Sequence, residues 1–165
     1  MKKAYLLLLV AVLGLPLSAH AEDRLGGHFG ILFPLVSHAD GATTNIGNDF
    51  KLGFPMGVTV KMAADWAFDL ELVPVIKKDP LFTSLTVHPG IIHSLRNRYA
   101  AGLRMAFDVN QASWGFTPLL NRSFPVKDRP YAYFVEGVLP IRFQASASGG
   151  NTTSIGLGVH VGLGF

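Results

Sequence analysis

The sequence predicts an all-β fold, a closed antiparallel eight-stranded transmembrane β-barrel that follows an N-terminal signal peptide. Three observations lead to this prediction. Long stretches alternate apolar with small or polar residues at period two, which is the pattern of strands with two different faces. Clusters of Gly, Asn, Asp and Ser separate these stretches. After the leader no apolar run is as long as a transmembrane helix, so closed strands are the remaining way to cross a membrane.

The start of the chain has the organisation of a secretory signal peptide. Lys2 and Lys3 supply a positive start before an apolar core over residues 4–17. A small-x-small motif ends at Ala21, where we expect cleavage. Residues 1–21 are therefore the predicted signal peptide, and residues 22–165 a single barrel domain. No Cys follows the apolar core, which excludes a bacterial lipoprotein.

Composition excludes several classes of function. The formal charge of +3 includes the two leader lysines, so the chain after cleavage carries +1 and no nucleic-acid partner is indicated. The absence of Cys removes disulfides, metal-thiolate sites and thiol nucleophiles together. P-loop, dinucleotide, zinc and nucleophile-elbow patterns are absent, and no cofactor is expected.

Eight strands are predicted from the alternation, each bounded by turn residues. They cover, in chain order, residues 24–36, 50–62, 66–76, 84–95, 99–109, 113–120, 131–144 and 153–165. The second and third strands form the clearest hairpin. If Met62 faces Trp66, both apolar sets fall on one face and Thr59 lies opposite Asp69. The sixth strand is short and poorly patterned. It is followed by a predicted polar, Pro-bearing connection over 121–130.

The last strand shows the alternation most fully. Its odd positions are apolar from Ile155 to Phe165, while its even positions are Gly, Ser and His160. A helix would scatter these glycines around its surface. The stretch resembles the closing strand of Gram-negative outer-membrane barrels. That resemblance implies an outer-membrane location, the barrel-assembly machinery as a partner during biogenesis, and Leu163 and Phe165 as the assembly signal.

The lengths of the connections support an orientation with both chain ends on the periplasmic side. The outer loops are then 37–49, 77–81, 110–112 and 146–152, and the periplasmic turns are 63–65, 96–98 and 121–130. The 13-residue loop 37–49, beside 146–152, is the expected contact surface. Its Gly, Asn and Thr content does not name a partner.

The composition of the polar row decides which face meets lipid. A lipocalin-like soluble barrel turns its apolar row inward and exposes the alternating polar row to water. That polar row should then be dense in charged residues. Here that row is mostly Gly, Ala, Ser and Thr, which suits the narrow interior of an eight-stranded barrel. The apolar row carries aromatic residues where strands begin or end, as an interfacial girdle would: Trp66, Tyr99, Tyr131, Tyr133 and Phe165.

The inward row is expected to carry a polar network of mixed charge. Its members are His28, Lys51, Lys61, Asp69, Glu71, His88, Arg104, Asp108, Glu136, Arg142 and His160. Barrel closure should bring His28 near His160, with Glu136 on the strand beside it. We interpret the network as a salt-bridged filling of the lumen. Acid–base or metal chemistry is not indicated by spacing, because these residues are scattered.

Prolines within the predicted strands leave two interpretations open. They are Pro34, Pro55, Pro74, Pro89, Pro118 and Pro140. Each lacks a backbone donor, so each indicates either a β-bulge or a flared rim. Alternatively, they are similar to the prolines that open gaps for lipid entry in the palmitoyl-transferring barrel enzyme of outer membranes.

These features together resemble the OmpA/OmpX/Ail class of small outer-membrane barrels. The resemblance implies a structural or surface-interaction role among outer-membrane lipid and lipopolysaccharide, with a filled lumen rather than a general pore. A lipid-modifying barrel enzyme, acting by acyl transfer or deacylation, is the first alternative, although a non-enzymatic role is favoured. A soluble periplasmic ligand-binding barrel is the second.

Overall fold

The structure, a computed structural model, describes residues 24–77, 82–145 and 151–165. The predicted signal peptide lies outside these residues. Eleven strands and one single-turn 3-10 helix at Arg96–Arg98 are present in this part of the chain. The strands are β1 (Leu25–Ala39), β2 (Ala42–Asn45), β3 (Lys51–Gly53), β4 (Met56–Lys61), β5 (Trp66–Lys77), β6 (Phe82–Ser94), β7 (Tyr99–Asp108), β8 (Ser113–Pro125), β9 (Ala132–Val138), β10 (Ile141–Ala145) and β11 (Asn151–Gly164). No helix among the described residues is both long and apolar enough to span a membrane.

The strands form one antiparallel sheet that closes on itself. β3 and β4 pair with β5 in the same register, and β9 and β10 likewise share a register against β8 and β11, so each pair is one interrupted strand. The ring therefore has eight strands. β1 and β11 close it from His28 opposite Gly164 to Ala39 opposite Ser154. The predicted fold, a closed eight-stranded antiparallel barrel, is confirmed.

The hairpin register predicted from the sequence is confirmed as well. Thr59 on β4 lies directly opposite Asp69 on β5. The Thr59 hydroxyl donates a hydrogen bond of 2.6 Å to Oδ1 of Asp69. Alternation and the tight turn between Met62 and Trp66 together set this register, since a slip of one residue would turn every apolar side chain of one strand to the wrong face.

The prolines interrupt strands without separating them. A register shift lies between Pro34 and Val36, and Pro55 and Pro140 occupy the breaks between β3 and β4 and between β9 and β10. In each break the proline carbonyl still accepts from a neighbouring strand, at 3.0 Å from Gly30 N and 2.8 Å from Gly156 N. The ladder therefore continues past Pro55 and Pro140, as β-bulges and irregularities allow. Between β6 and β7 the pairing skips His88 and Pro89 and resumes at Gly90.

The sixth strand is longer than predicted. β8 extends over Ser113–Pro125, so half of the expected connection at 121–130 is strand. Asn121 and Ser123 face the polar interior, where Asn121 donates to Glu136. Their polarity indicates a loop in the sequence, whereas in the structure these two side chains are polar because they face the lumen. Only a short turn remains, closed by the hydrogen bond from Val126 N to the Tyr131 carbonyl at 3.2 Å.

The first outer loop is also more regular than predicted. β1 continues to Ala39 and β2 folds back on it, pairing Ala39 with Ala42. Between them Asp40 and Gly41 both have positive φ, 49° and 75°, as a two-residue hairpin turn of type I′ requires. Much of the stretch 37–49 is therefore a hairpin that projects from the barrel.

The apolar side chains point outward. On β5, outward Phe68, Leu70 and Leu72 are 38%, 41% and 39% exposed, whereas inward Asp69 and Glu71 are 1% and 3% exposed. Few apolar side chains are buried inside the described barrel: Val73, Ala106, Leu119, Phe134 and Val138. The lipocalin-like arrangement, with the apolar row inward, is therefore wrong.

Aromatic residues mark both ends of this apolar surface. Trp66, Tyr131, Tyr133 and Phe165 are exposed at the end where the chain terminates, and Trp114 packs against Phe143 near the other end. Along β5 the outward row runs from Trp66 to Ile76. At about 3.3 Å per residue and a tilt of about 40°, this row is about 25 Å high, which matches the apolar band of membrane barrels.

The close approach of β1 and β11 gives a test of ring closure. Gly162 lies opposite Gly30, and a Cβ on Gly162 would collide with the Phe29 carbonyl oxygen and lie 2.8 Å from Cζ of Phe134. We predict that Gly162→Val abolishes the compact form that migrates faster than denatured protein on a gel without heating. Gly137→Val is the matched control, because its Cβ would have only the Leu120 oxygen nearby, at 4.0 Å. Normal folding of Gly162→Val would contradict the described seam.

Candidate functional site

One arginine organises the polar interior of the barrel. Arg104, on β7, donates from Nε to Asp69 at 2.8 Å and from Nη1 to Glu136 at 2.8 Å. Its Nη1 also lies 3.4 Å from Oε2 of Glu71. The Arg104 side chain is only 4% exposed, and the three carboxylates are 1% to 3% exposed. A single guanidinium thus bridges β5 and β9 across the lumen.

Three histidines surround the same carboxylates. His28 and His88 contact Glu71 from two sides, with ring nitrogen to oxygen distances of 3.1 and 3.0 Å. His160 contacts Glu136 at 3.4 Å. Its ring centroid lies 6.1 Å from that of His28, so closure brings these two histidines together.

The contacts of His88 define its tautomer. Nδ1 faces a carboxylate oxygen of Glu71 and must donate to it, while Nε2 lies 3.1 Å from Nη2 of Arg142. Arginine only donates, so Nε2 must accept and His88 is neutral with its proton on Nδ1. His88 therefore joins Arg142 to the Arg104 group and extends the network toward the opposite end of the barrel.

Three of the predicted interior residues lie outside this connected network. Lys61 ends its strand in an exposed position, and Lys51 lies 3.5 Å from Asp49 at the opposite end of the barrel. Asp108 accepts from the Thr86 hydroxyl instead. The remaining predicted residues are linked through the contacts above: His28, Asp69, Glu71, His88, Arg104, Glu136, Arg142 and His160.

Sequence reasoning missed two polar partners of the network. Thr59 was recognised only as a register neighbour, although its hydroxyl satisfies Asp69. Asn121 is predicted to lie in the connection 121–130, although its amide lies 3.3 Å from Oε2 of Glu136. The inward parity of Asn121, counted on from Thr117 and Leu119, is the signal that could have found it.

A cavity of about 890 Å³ leads from the end with the chain terminus to this network. His28, Asp69, Arg104 and Glu136 line its inner part, and the exposed Lys61 and Arg129 lie at its mouth. Beyond the network the lumen is occupied by side chains. Gly53 and Gly158 leave room for Leu32, which fills the space beside Val73 and Val138.

The geometry favours an ion-pair network over a metal centre or a nucleophilic site. Ligand atoms of Glu71, Glu136 and His160 lie within 4.8 Å of one another, but Arg104 Nη1 already lies between the two glutamates. The guanidinium therefore supplies the cation that these carboxylates need. Within the described residues, the interior histidines contact carboxylates or Arg142, and none is hydrogen-bonded to a hydroxyl that could act as a nucleophile.

A separate ion-pair group lies at the opposite end of the barrel. Nζ of Lys77 lies 2.7 Å from Asp49, and Nζ of Lys51 lies 3.5 Å from it. The hydrogen bond from Lys77 lowers the pKa of Asp49 below its ordinary value. This group joins the loop before β3 to the end of β5, and Asp49 offsets one of the two lysine charges at this rim.

Comparison with known proteins identifies no relative by sequence. No family model matches the chain, and no curated protein matches it. Among solved structures, the outer membrane protein OprG from Pseudomonas aeruginosa is similar, with 11% identity and a TM-score of 0.46 over 86% of this chain and 94% of that chain. At this level of similarity, the fold of this chain is established by its own strand pairing.

Removal of the Arg104 guanidinium should destabilise the folded barrel. We predict that Arg104→Gln lowers the free energy of unfolding by about 3–5 kcal/mol, because it leaves buried carboxylates without their cation. Urea unfolding of protein refolded in micelles, followed by tryptophan fluorescence, measures the change. Arg104→Gln combined with Glu136→Gln should lose less than the sum of the two single variants.

Lys61→Gln is the control, since Lys61 is exposed at the mouth of the cavity and should change stability by no more than about 0.5 kcal/mol. Equal losses for Lys61→Gln and Arg104→Gln would show that the network does not contribute to stability as described.

Proposed function

We propose that the protein is an integral outer-membrane β-barrel with a structural or surface-interaction role. The observation that carries this proposal is the outward apolar belt, whose side chains surround a closed ring. Soluble monomers rarely expose contiguous apolar patches larger than a few hundred Å², whereas this belt continues around the ring at a height of about 25 Å. Lipid is the solvent that suits such a surface.

The filling of the lumen by side chains supports a role other than that of a general porin. The cavity that begins at the terminal end reaches Asp69, Arg104 and Glu136. Beyond them Leu32 and the buried Val73 and Val138 fill the lumen. Eight-stranded barrels have an interior that side chains can fill. Acyl transfer or deacylation gains no support from the interior histidines, which lack a hydroxyl partner among the described residues, and the ladder continues past Pro55 and Pro140.

The hairpin formed by β1 and β2 supports a surface role. All four residues of β2 are exposed, and Thr43 and Thr44 hydrogen-bond to His38 and Ser37 on the neighbouring strand. The hydroxyl of Thr152 donates to Asp40 at 3.1 Å, which joins the hairpin to the start of β11. This ordered polar projection is where we propose contact with lipopolysaccharide or an extracellular partner.

Biogenesis through the barrel-assembly machinery is part of the proposal. Phe165 is 66% exposed, and its backbone exchanges two hydrogen bonds with Gly27, at 2.8 and 2.9 Å. Its side chain and that of Leu163 on the same strand are therefore presented beside the closing seam. This supports their proposed role as the assembly signal.

Fractionation tests the proposal. After expression in a Gram-negative cell, the protein is expected in the outer-membrane fraction as a band that runs faster on gels before boiling than after it. Such a band reports a closed barrel that detergent alone does not unfold. Recovery in the osmotic-shock fluid, with no band in the membrane fraction, would contradict the proposal and favour the soluble alternative.

A further inference from the structure

Basic residues are concentrated on one side of the barrel rim at the terminal end. The turns between β6 and β7 and between β8 and β9 are neighbours there, on either side of paired β7 and β8. Exposed basic residues on these turns and on the end of β8 are Arg96, Arg98, Arg122, Lys127 and Arg129, with Asp128 the acidic residue among them. At the opposite rim Lys51 and Lys77 are both paired with Asp49. Among the described residues, unpaired positive charge is therefore concentrated at the terminal rim.

Arg122 has the most defined geometry of this group. It faces outward from β8, between Phe124 on its own strand and Tyr99, its cross-strand partner on β7. Its guanidinium carbon lies 5.1 Å from the centre of the Tyr99 ring and 5.2 Å from that of Phe124. The two rings hold the cation by cation–π attraction. No carboxylate lies within 4.0 Å of Arg122 in the described part of the chain.

Arg98 is placed next to this pair by an unusual backbone conformation. It directly precedes Tyr99, and both Asn97 and Arg98 have left-handed backbone angles, with φ of 60° and 65°. Glycine adopts such angles without strain, whereas residues with a Cβ adopt them rarely. The turn therefore places the backbone of Arg98 directly beside the paired Tyr99 and Arg122.

We infer that Arg122 and Arg98 bind the phosphate of an anionic phospholipid headgroup, in the leaflet that surrounds the terminal end of the barrel. Aromatic girdles lie at headgroup depth, so the rings of Tyr99 and Phe124 place the guanidinium where phosphates are. The planar fork of an arginine binds a phosphate through two parallel hydrogen bonds. Charge complementarity favours an anionic headgroup over a zwitterionic one, because the rim around this site has excess positive charge.

This inference goes beyond the proposed function and rests on its membrane placement. The test is native mass spectrometry of the refolded full chain, released from micelles that contain equal amounts of phosphatidylglycerol and phosphatidylcholine with identical acyl chains. The wild-type protein should retain phosphatidylglycerol preferentially. Arg122→Gln should lower that preference about fivefold, as the loss of one basic contact at a membrane surface would. Arg98→Gln should lower it as well, and Arg122→Lys should have an intermediate effect because it keeps the charge without the fork.

Two controls separate a defined site from general attraction. Lys77→Gln removes a charge at the opposite rim, and Arg24→Gln removes an exposed charge at the same rim away from Tyr99 and Phe124. Neither should lower the preference by as much as Arg122→Gln. Each variant is first shown to be folded by its faster migration before boiling. Equal losses for Arg24→Gln and Arg122→Gln, or no preference in the folded wild-type protein, would overturn the inference while leaving the membrane barrel intact. A chain that enters no micelle would contradict the proposed function itself.

Discussion

The structure depends on one constraint, which is that every backbone donor and acceptor around the ring must find its partner within the protein. In a hydrocarbon solvent an unpaired peptide group costs several kcal/mol, so the sheet can have no free edge. The seam between β1 and β11 meets this demand from Gly27 and Phe165 to Ala39 and Ser154. The interrupted strands meet it too, because the carbonyls of Pro55 and Pro140 continue to accept hydrogen bonds where the proline nitrogen cannot donate.

Closure of the ring also determines what the interior can contain. With most apolar side chains outside, the eight-stranded lumen is filled by small residues, by a few apolar side chains such as Val73 and Val138, and by charged groups that pair with one another. Arg104 is central because three carboxylates on two other strands converge on it. Charges that leave water need partners of this kind. Removing one partner of a buried ion pair destabilises the protein by more than the pair itself stabilises it. The same cluster could be mistaken for a metal or acid–base site, but its geometry shows ion pairing across the barrel.

Much of the fold could be predicted because alternation is a local property of the chain. The pairing of Thr59 with Asp69 followed from placing Met62 opposite Trp66, and the inward positions of Glu71 and Glu136 followed from parity. The full length of β8 could not be predicted in this way. Asn121 and Ser123 are polar because they face the lumen, and a polar residue facing a polar lumen cannot be told from a turn residue by composition.

The contacts within the network required the structure. Arg104, Asp69 and Glu136 lie on strands that are not all neighbours, and which side chains meet across a lumen depends on the stagger of the whole ring. The hairpin β1–β2 could not be predicted for a different reason. Its turn depends on the positive φ of Asp40 and Gly41, and these two residues lie within a stretch of generally polar composition.

Spin labels on single introduced cysteines, a residue type that the natural chain lacks, test most directly whether lipid surrounds the apolar rows. Labels at Val58, Leu70 and Met105 are predicted to be more accessible to oxygen, which concentrates in lipid, than to a water-soluble nickel reagent, when the protein is in vesicles. Labels at inward Thr59 and Thr117 should lack this oxygen preference. Outward labels that meet the nickel reagent freely, or that are protected from both reagents as in a packed protein core, would contradict the account.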